Sequence, residues 1–429
     1  MTTKINEMNT YIRSLRYEEM DQAIELSGFA FQHTITPEVR AMRRKMIPSS
    51  SVRGIFRKED DTLLGKLTLL DLQVYVGEKV LDMGGIAGVA TWPEYRRLGL
   101  VRQLLAHSLR EMREKGLTLS MLHPFSFSFY RKYGWETFVD RKICTLKMAQ
   151  VPVYSANGSE GQWVRLAASE EAWTAMQDVY DRVARHYNGT LVRTGMWWQE
   201  RVFQSGSIKY VYERAHEGDA STEGEGSGKE EKVREAFLEY EVRDRKMKVY
   251  ASGYTTEAGR RAIWQFIAQH DSMADEIEIE VPANEDMTYG LDDPKFKQEI
   301  TPYFMARIVD MEGFLRQYPF QPGSACQLVL EVVDTFADWN NGAYLLELDE
   351  AGHVAIVQIS EERSLERSGH DEATLPVIRG AIPDITAWLL GYRHGVELYK
   401  RQLITGDEQA VQVLSSRLSG HSTYLPDFF

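Results

Sequence analysis

The sequence is poor in cysteine: Cys144 and Cys326 are the two in 429 residues, far apart and without CxxC spacing. They support neither a disulfide framework nor a cysteine-rich zinc site. The ten histidines form no HExxH motif and no Cys/His cluster, so no metal site is indicated. No stretch reaches the roughly 18 apolar residues of a membrane-spanning helix. The opening MTTKINEMNTYIRSL lacks the apolar core of a signal peptide. The expectation is a cytoplasmic protein with no membrane partner. Basic residues are outnumbered, 50 against 63 acidic, for a formal net charge of −13. That argues against broad nucleic-acid binding, which needs a basic footprint. It is compatible with small cationic ligands.

What is present is ordinary globular composition, 43% hydrophobic and 26% charged, over a length sufficient for two or three domains. The pattern is a mixed α/β fold. Residues 1–150 read as the helix MDQAIELSGFAF, then the strands SVRGIFRK, LLGKLTLLDLQVYV and VLDMGGIAGVAT, by their alternation and β-branched content. A helix follows Gly99, with Val101, Leu104, Leu105, Leu109 and Met112 on one face and Gly116 as its C-terminal stop. LTLSMLHPF reads as a further strand. Residues 151–295 form a second α/β region. It holds the helices SEEAWTAMQDVYDRVARHY and EAGRRAIWQFIAQH, and the strands SIKYVYER, REAFLEYEVRD and DEIEIEV. The Gly-, Ser- and Glu-rich AHEGDASTEGEGSGKEEKV between two of these strands reads as a solvated loop. Residues 296–429 form a third region. YFMARIVDMEGFLRQY is expected to be helical, followed by three strands, two helices and an aromatic end, STYLPDFF. The first two regions have room to be diverged copies of one fold.

The stretch VATWPEYRRLGLVRQLL, Val89–Leu105, joins a strand to a helix through two arginines and one glycine. A helix N-terminus offers unpaired N–H groups and the positive end of the macrodipole. Glycine lets backbone approach a ligand closely, and arginine adds forked cationic donors. The product is a pyrophosphate site, with neither a GKS/GKT ending nor GxGxxG.

Arg96-Arg97-Leu98-Gly99-Leu100-Val101 resembles the acyl-CoA motif [RQ]-x-x-G-x-[GA] of the GNAT N-acetyltransferase superfamily, with Val101 in place of the small last residue. The surrounding order is similar too: GVAT before the motif, MLHPF after its helix, then Phe129-Tyr130-Arg131-Lys132-Tyr133-Gly134-Trp135 where the superfamily often carries FYxKxGF. Over the full length the layout resembles the enhanced intracellular survival (Eis) family. The resemblance implies a GNAT domain at 1–150 with the acetyl-CoA site. It implies a GNAT-like domain at 151–295 without a cofactor site, since Gly259 precedes Arg260 and Arg261 in the wrong order. It implies an α+β domain resembling sterol carrier proteins at 296–429, which carries the catalytic C-terminus.

The resemblance further implies acetyl transfer from acetyl-CoA to amines of a cationic acceptor, aminoglycoside- or polyamine-like, in a homo-oligomer, a hexamer. Amine acetylation needs a base for the ammonium, a donor to the thioester carbonyl and an acid for the thiolate. Tyr130 takes the acid's place in the motif; Tyr133 packs. The implied base is the main-chain carboxylate of Phe429. With a reference pKa of about 3.3–3.7, it needs desolvation or a bridging water. His123 and His33 are alternative bases. The amides of Val89, Ala90 and Thr91 would hold pantetheine, with Phe125 and Ser126 flanking it. Arg96, Arg97, Leu98, Gly99, Leu100, Val101 and Arg102 would cradle the phosphates. Asp427 and the Phe29–His33 segment are candidates for lining the acceptor site. Two rival readings share these residues: an acetyltransferase of protein lysines or N-termini, and a non-catalytic acyl-CoA sensor with a lipid-binding third domain.

Overall fold

The computed structural model describes residues 9–152, 154, 161–215, 232–289, 291–359 and 375–429. The expected solvated loop at 215–233 lies almost wholly outside them. The first region runs β1 (Thr10–Ser14), α1 (Met20–Phe31), α2 (Pro37–Met46), β2 (Val52–Arg57), β3 (Leu63–Val76), β4 (Lys79–Thr91), α3 (Leu100–Glu114), β5 (Leu119–Leu122), α4 (Phe127–Arg131) and β6 (Glu136–Lys147). The second holds β7 (Gly161–Arg165), α5 (Glu170–Ala184), α6 (Gly195–Trp197), β8 (Ile208–Ala215), β9 (Lys232–Arg243), β10 (Lys246–Tyr254), α7 (Glu257–Ala268) and β11 (Glu276–Val281). The third opens with β12 (Lys297–Ile308) and α8 (Met311–Gln317). It continues through β13 (Cys326–Val333), β14 (Gly342–Leu348), β15 (Val354–Ile359), β16 (Val377–Ala381) and β17 (Ile404–Gly406), with helices at Ile382–Leu389, Gly395–Lys400 and Glu408–Ser416. Among the described residues, no helix is long and apolar enough to cross a membrane.

These elements form two compact units. One takes the chain up to Val139 with Tyr303–Gly420 and Phe428–Phe429; the other takes Asp140–Pro302 with His421–Asp427. In the first, strands pair in the order β1-β2-β3-β4-β5-β12. All contacts are antiparallel except β4 with β5, which are parallel and joined by the crossover helix α3. The apolar face of α3 explains why it seats there. Leu104, Leu105, Leu109 and Met112 are fully buried against Leu67, Leu69 and Ile86 of the sheet. Each such burial contributes about 1.5–3 kcal/mol. In the second unit, β8, β9 and β10 are antiparallel and α7 crosses to β11, parallel to β10. That is the β4-α3-β5 arrangement repeated, so the chain holds two copies of one α/β fold. The third region adds a five-stranded sheet, β15-β14-β13-β16-β17.

One expected element is corrected. Tyr303–Tyr318 is not one helix: β12 runs to Ile308 and the helix begins only at Met311. Phe304, Met305, Ala306 and Ile308 are all fully buried, so the run has no polar alternation to separate strand from helix. Pairing decides it: Met305 to Ile308 lie antiparallel to Leu122 to Leu119 of β5.

β12 also anchors the third region. Arg307 is fully buried and pairs with Asp334, itself 1% exposed; it donates a second bond to the Tyr133 carbonyl. Burial pulls the guanidinium down to about 10, with Asp334 pushing back. Asp334 also accepts from Asn340 Nδ2 at 2.9 Å and from the amides of Phe336 and Ala337 at 3.0 and 2.9 Å. Gly134, at φ +88°, leaves the space that Arg307 occupies. Removing one partner strands the other charge without water. Asp334→Ala should therefore cost about 3–5 kcal/mol, read as a lower denaturation midpoint in urea.

Candidate active site

The parallel pairing of β4 with β5 runs from Met83–Leu119 to Ile86–Leu122 and stops. β4 continues to Thr91, so its Ala87–Thr91 edge on that side has no strand partner in β5. The strand also bulges there. Lys66 faces Ala90 and Thr68 faces Ala87, which sets Gly88 and Val89 against the single residue Leu67. Gly88 takes φ +54° to make the bulge. Val89 and Thr91 are half-buried and Ala90 is buried. The result is a slot with backbone donors and acceptors along one wall.

Above the slot, Arg96–Gly99 turns the chain into α3. Arg97 and Gly99 both sit in the left-handed region, at φ +64° and +74°. The first intrahelical bond runs from the Gln103 amide to the Gly99 carbonyl, at 3.1 Å. No side chain caps this end and no acidic residue stands in its first turn. The amides of Leu100, Val101 and Arg102 therefore point outward from a positive helix end. Arg96, Arg97 and Arg102 are exposed around them, Leu98 and Val101 are half-buried, and Leu100 anchors the turn in the core. This geometry suits a polyanion.

Tyr130 lies on α4, beyond the end of β5, and is 2% exposed. Phe125, Phe129 and Trp135 surround its ring, with centroids at 5.3, 5.2 and 6.4 Å. No residue among those described hydrogen-bonds its hydroxyl. Burial raises its pKa, so the phenol keeps its proton at neutral pH. Phe125 is exposed beside it, and Ser126 is the N-cap residue of α4. Tyr133 instead packs its ring on Phe336 at 4.8 Å.

Phe429 is 7% exposed. Its ring meets the place a Cβ would take on Gly85, at 2.9 Å, and lies tilted against Phe304 with centroids 4.9 Å apart. Gly84 turns to Met112 of α3, so Phe429 occupies the opposite face of β4. His123 is exposed, with Phe428, Tyr303 and Phe304 rings at 5.0, 5.4 and 5.4 Å. His33 is exposed and stacks loosely on Phe31 at 6.5 Å; Phe29 leans on Trp92 at 5.6 Å. Asp427 does not present a free carboxylate for an acceptor. It is buried in the second unit with Arg193 at 3.0 Å, Trp197 Nε1 at 2.9 Å and the Tyr180 hydroxyl at 3.3 Å.

The equivalent helix end in the second unit is closed. The Thr256 hydroxyl caps it by accepting from the Gly259 amide at 3.0 Å. Glu257 stands in its first turn and takes both Arg260 and Arg261 as partners, at 2.7 and 3.0 Å. One residue of the first unit escaped sequence reasoning: Lys66, buried on β3 beside the bulge. Its strand also carries Thr68, Asp71 and Gln73, so no local signal in the sequence marked it.

Models of the GNAT acetyltransferase domain match residues 11–138 and 189–308, and a sterol carrier protein domain model matches 311–426. The N-acetyltransferase Eis of Mycobacterium tuberculosis is 27% identical over 185 residues; the match covers 41% of this chain and 45% of that protein. The chain thus spans just under half the length of these curated relatives. A probable N-acyltransferase of Enterococcus faecalis, solved as a conserved protein of unknown function, superposes with a TM-score of 0.83 at 25% identity, covering 98% of this chain and 100% of that one. Eis1 of Mycobacterium abscessus superposes at TM-score 0.75 and 16% identity, with the same coverage, and shares the fold.

Gly99 and Gly116 stand at opposite ends of α3 with φ +74° and +75° and open space where a side chain would go. Gly99→Val and Gly116→Val should cost similar backbone strain, about 1–3 kcal/mol. Only Gly99→Val should weaken CoA binding, by about tenfold or more, in calorimetric titration.

Proposed function

The chain is an Eis-like member of the GNAT superfamily with a sterol-carrier-like third domain, and from that premise we propose that it is an acetyl-CoA-dependent N-acetyltransferase. Its acceptor is the amine of a small cation, aminoglycoside- or polyamine-like. The observation that carries this reading is the unpartnered hydroxyl of the buried Tyr130 on α4, just past the end of β5 where β4 loses its parallel partner.

In this reading, Arg96, Arg97 and Arg102 and the amides of Leu100, Val101 and Arg102 hold the phosphates. The Ala87–Thr91 edge pairs with the pantetheine arm, and the amides of Val89, Ala90 and Thr91 polarise the thioester carbonyl. The terminal carboxylate of Phe429, fixed by its ring on Gly85, takes a proton from the acceptor ammonium. The free amine attacks the carbonyl carbon, the C–S bond breaks, and Tyr130 protonates the sulfur. A phenol held protonated by burial suits that last step. The cytoplasmic location and the hexamer implied by resemblance belong to the same proposal.

The test is CoA release by untagged protein offered acetyl-CoA with aminoglycosides, polyamines or lysine peptides. Release with the first two supports the proposal. Release with peptides alone moves the acceptor to protein. No release with any acceptor, while acetyl-CoA still binds, supports the sensor reading. Tyr130→Phe should lower kcat by about 10²–10⁴ and leave the KM for acetyl-CoA nearly unchanged. Residues appended after Phe429 should depress kcat while the folded state, followed by thermal melting, stays intact.

A further inference from the structure

Lys66 is a buried cation that the mechanism leaves unused. It faces Ala90 across the β3–β4 ladder and is 5% exposed. Leu67 and Leu69 point into the α3 core, so Lys66 and Thr68 turn to the other face of the sheet, the face Phe429 occupies. The Lys66 Nζ lies 2.9 Å from the position a Cβ would take on Gly88, the first residue of the bulge. Glycine there leaves the notch that the amine fills. Among the described residues no group hydrogen-bonds or ion-pairs with it. Its burial, together with the nearby Arg43 cation on α2, pulls the amine down to about 7. Burial thus favours the free amine over the ammonium at Lys66 more than at a solvated lysine.

Resting on the acetyl-CoA reading above, we propose that Lys66 is a self-acetylation site: its unpartnered amine, set against the bulge where the thioester would lie, takes the acetyl group when no acceptor is present. The Nζ lone pair forms a bond to the carbonyl carbon, and the C–S bond breaks with its electron pair on sulfur. Nζ loses one proton to solvent, Tyr130 supplies one to the thiolate and regains one from solvent, leaving Nε-acetyllysine and CoA. No other reactant is needed. One acetyl group enters per chain, and it enters the acceptor's own ground, so acceptor turnover should fall in step with it.

The experiment incubates the intact protein with acetyl-CoA alone and maps acetylated peptides by mass spectrometry over time. Binding of CoA is measured in parallel by calorimetry. The expected result is acetyl on Lys66 at least about tenfold faster than on the exposed Lys132 and Lys147, from its amine's place against the Gly88 bulge. The rate should rise with pH through about 7 and level off above it, as the free base fills. Lys66→Arg and Lys66→Met should lose the fast label and still bind CoA. CoA binding with Lys66 unmodified, or modified no faster than the two exposed lysines, overturns the proposal. Absence of CoA binding in the wild-type chain overturns the cofactor reading itself, and this proposal with it.

Discussion

A parallel pair of strands that parts company is the constraint on which the site depends. β4 and β5 hold together only from Met83–Leu119 to Ile86–Leu122. Beyond that point β4 keeps β3 on one side only, and the backbone groups of its other edge must find another partner. The bulge at Gly88–Val89 turns the strand at the place where pairing ends. The same strand then runs, through Arg96–Gly99, into the open N-terminus of α3. Slot, bulge and anion-attracting helix end are thus consecutive consequences of one chain path. α4 follows β5 directly, so the divergence that opens the slot also places Tyr130 beside its end.

A second constraint keeps that arrangement rigid. Arg307 comes from β12, which the third region lends to the first region's sheet beside β5. Its guanidinium holds the Tyr133 carbonyl, just past α4, and the Asp334 carboxylate of the third region. A buried pair of this kind is weak as a source of net stability, because desolvation offsets the attraction. Its effect is geometric: with Gly134 leaving room, it ties the turn after α4 to β12 and to Asp334. The sterol-carrier-like domain therefore braces the first region, and its last residues, Phe428 and Phe429, pack there as well.

Much of the first unit was legible in the sequence because its signals are local. LLGKLTLLDLQVYV is β3 residue for residue, and MDQAIELSGFAF is α1. Gly116 takes the left-handed geometry of the helix stop it was read as. What was not legible was non-local. The fully buried Phe304–Ile308 run carries no period that separates strand from helix, and only pairing with β5 decides it. Asp427 looked like an acceptor carboxylate from its place in the chain; its partners Arg193, Trp197 and Tyr180 lie more than 200 positions away, as the 247-residue separation from Tyr180 illustrates. Lys66 was hidden for a similar reason, since its burial depends on a bulge in a different strand.

The central claim is that the slot beside Ala87–Thr91 is the cofactor site. The most direct measurement is a crystal structure of the chain with CoA. The account predicts phosphates against Arg96–Arg102, the pantetheine arm paired along Val89–Thr91, and the sulfur within hydrogen-bond reach of the Tyr130 hydroxyl. CoA bound at any other place, or in the slot with its sulfur out of reach of Tyr130, would contradict it.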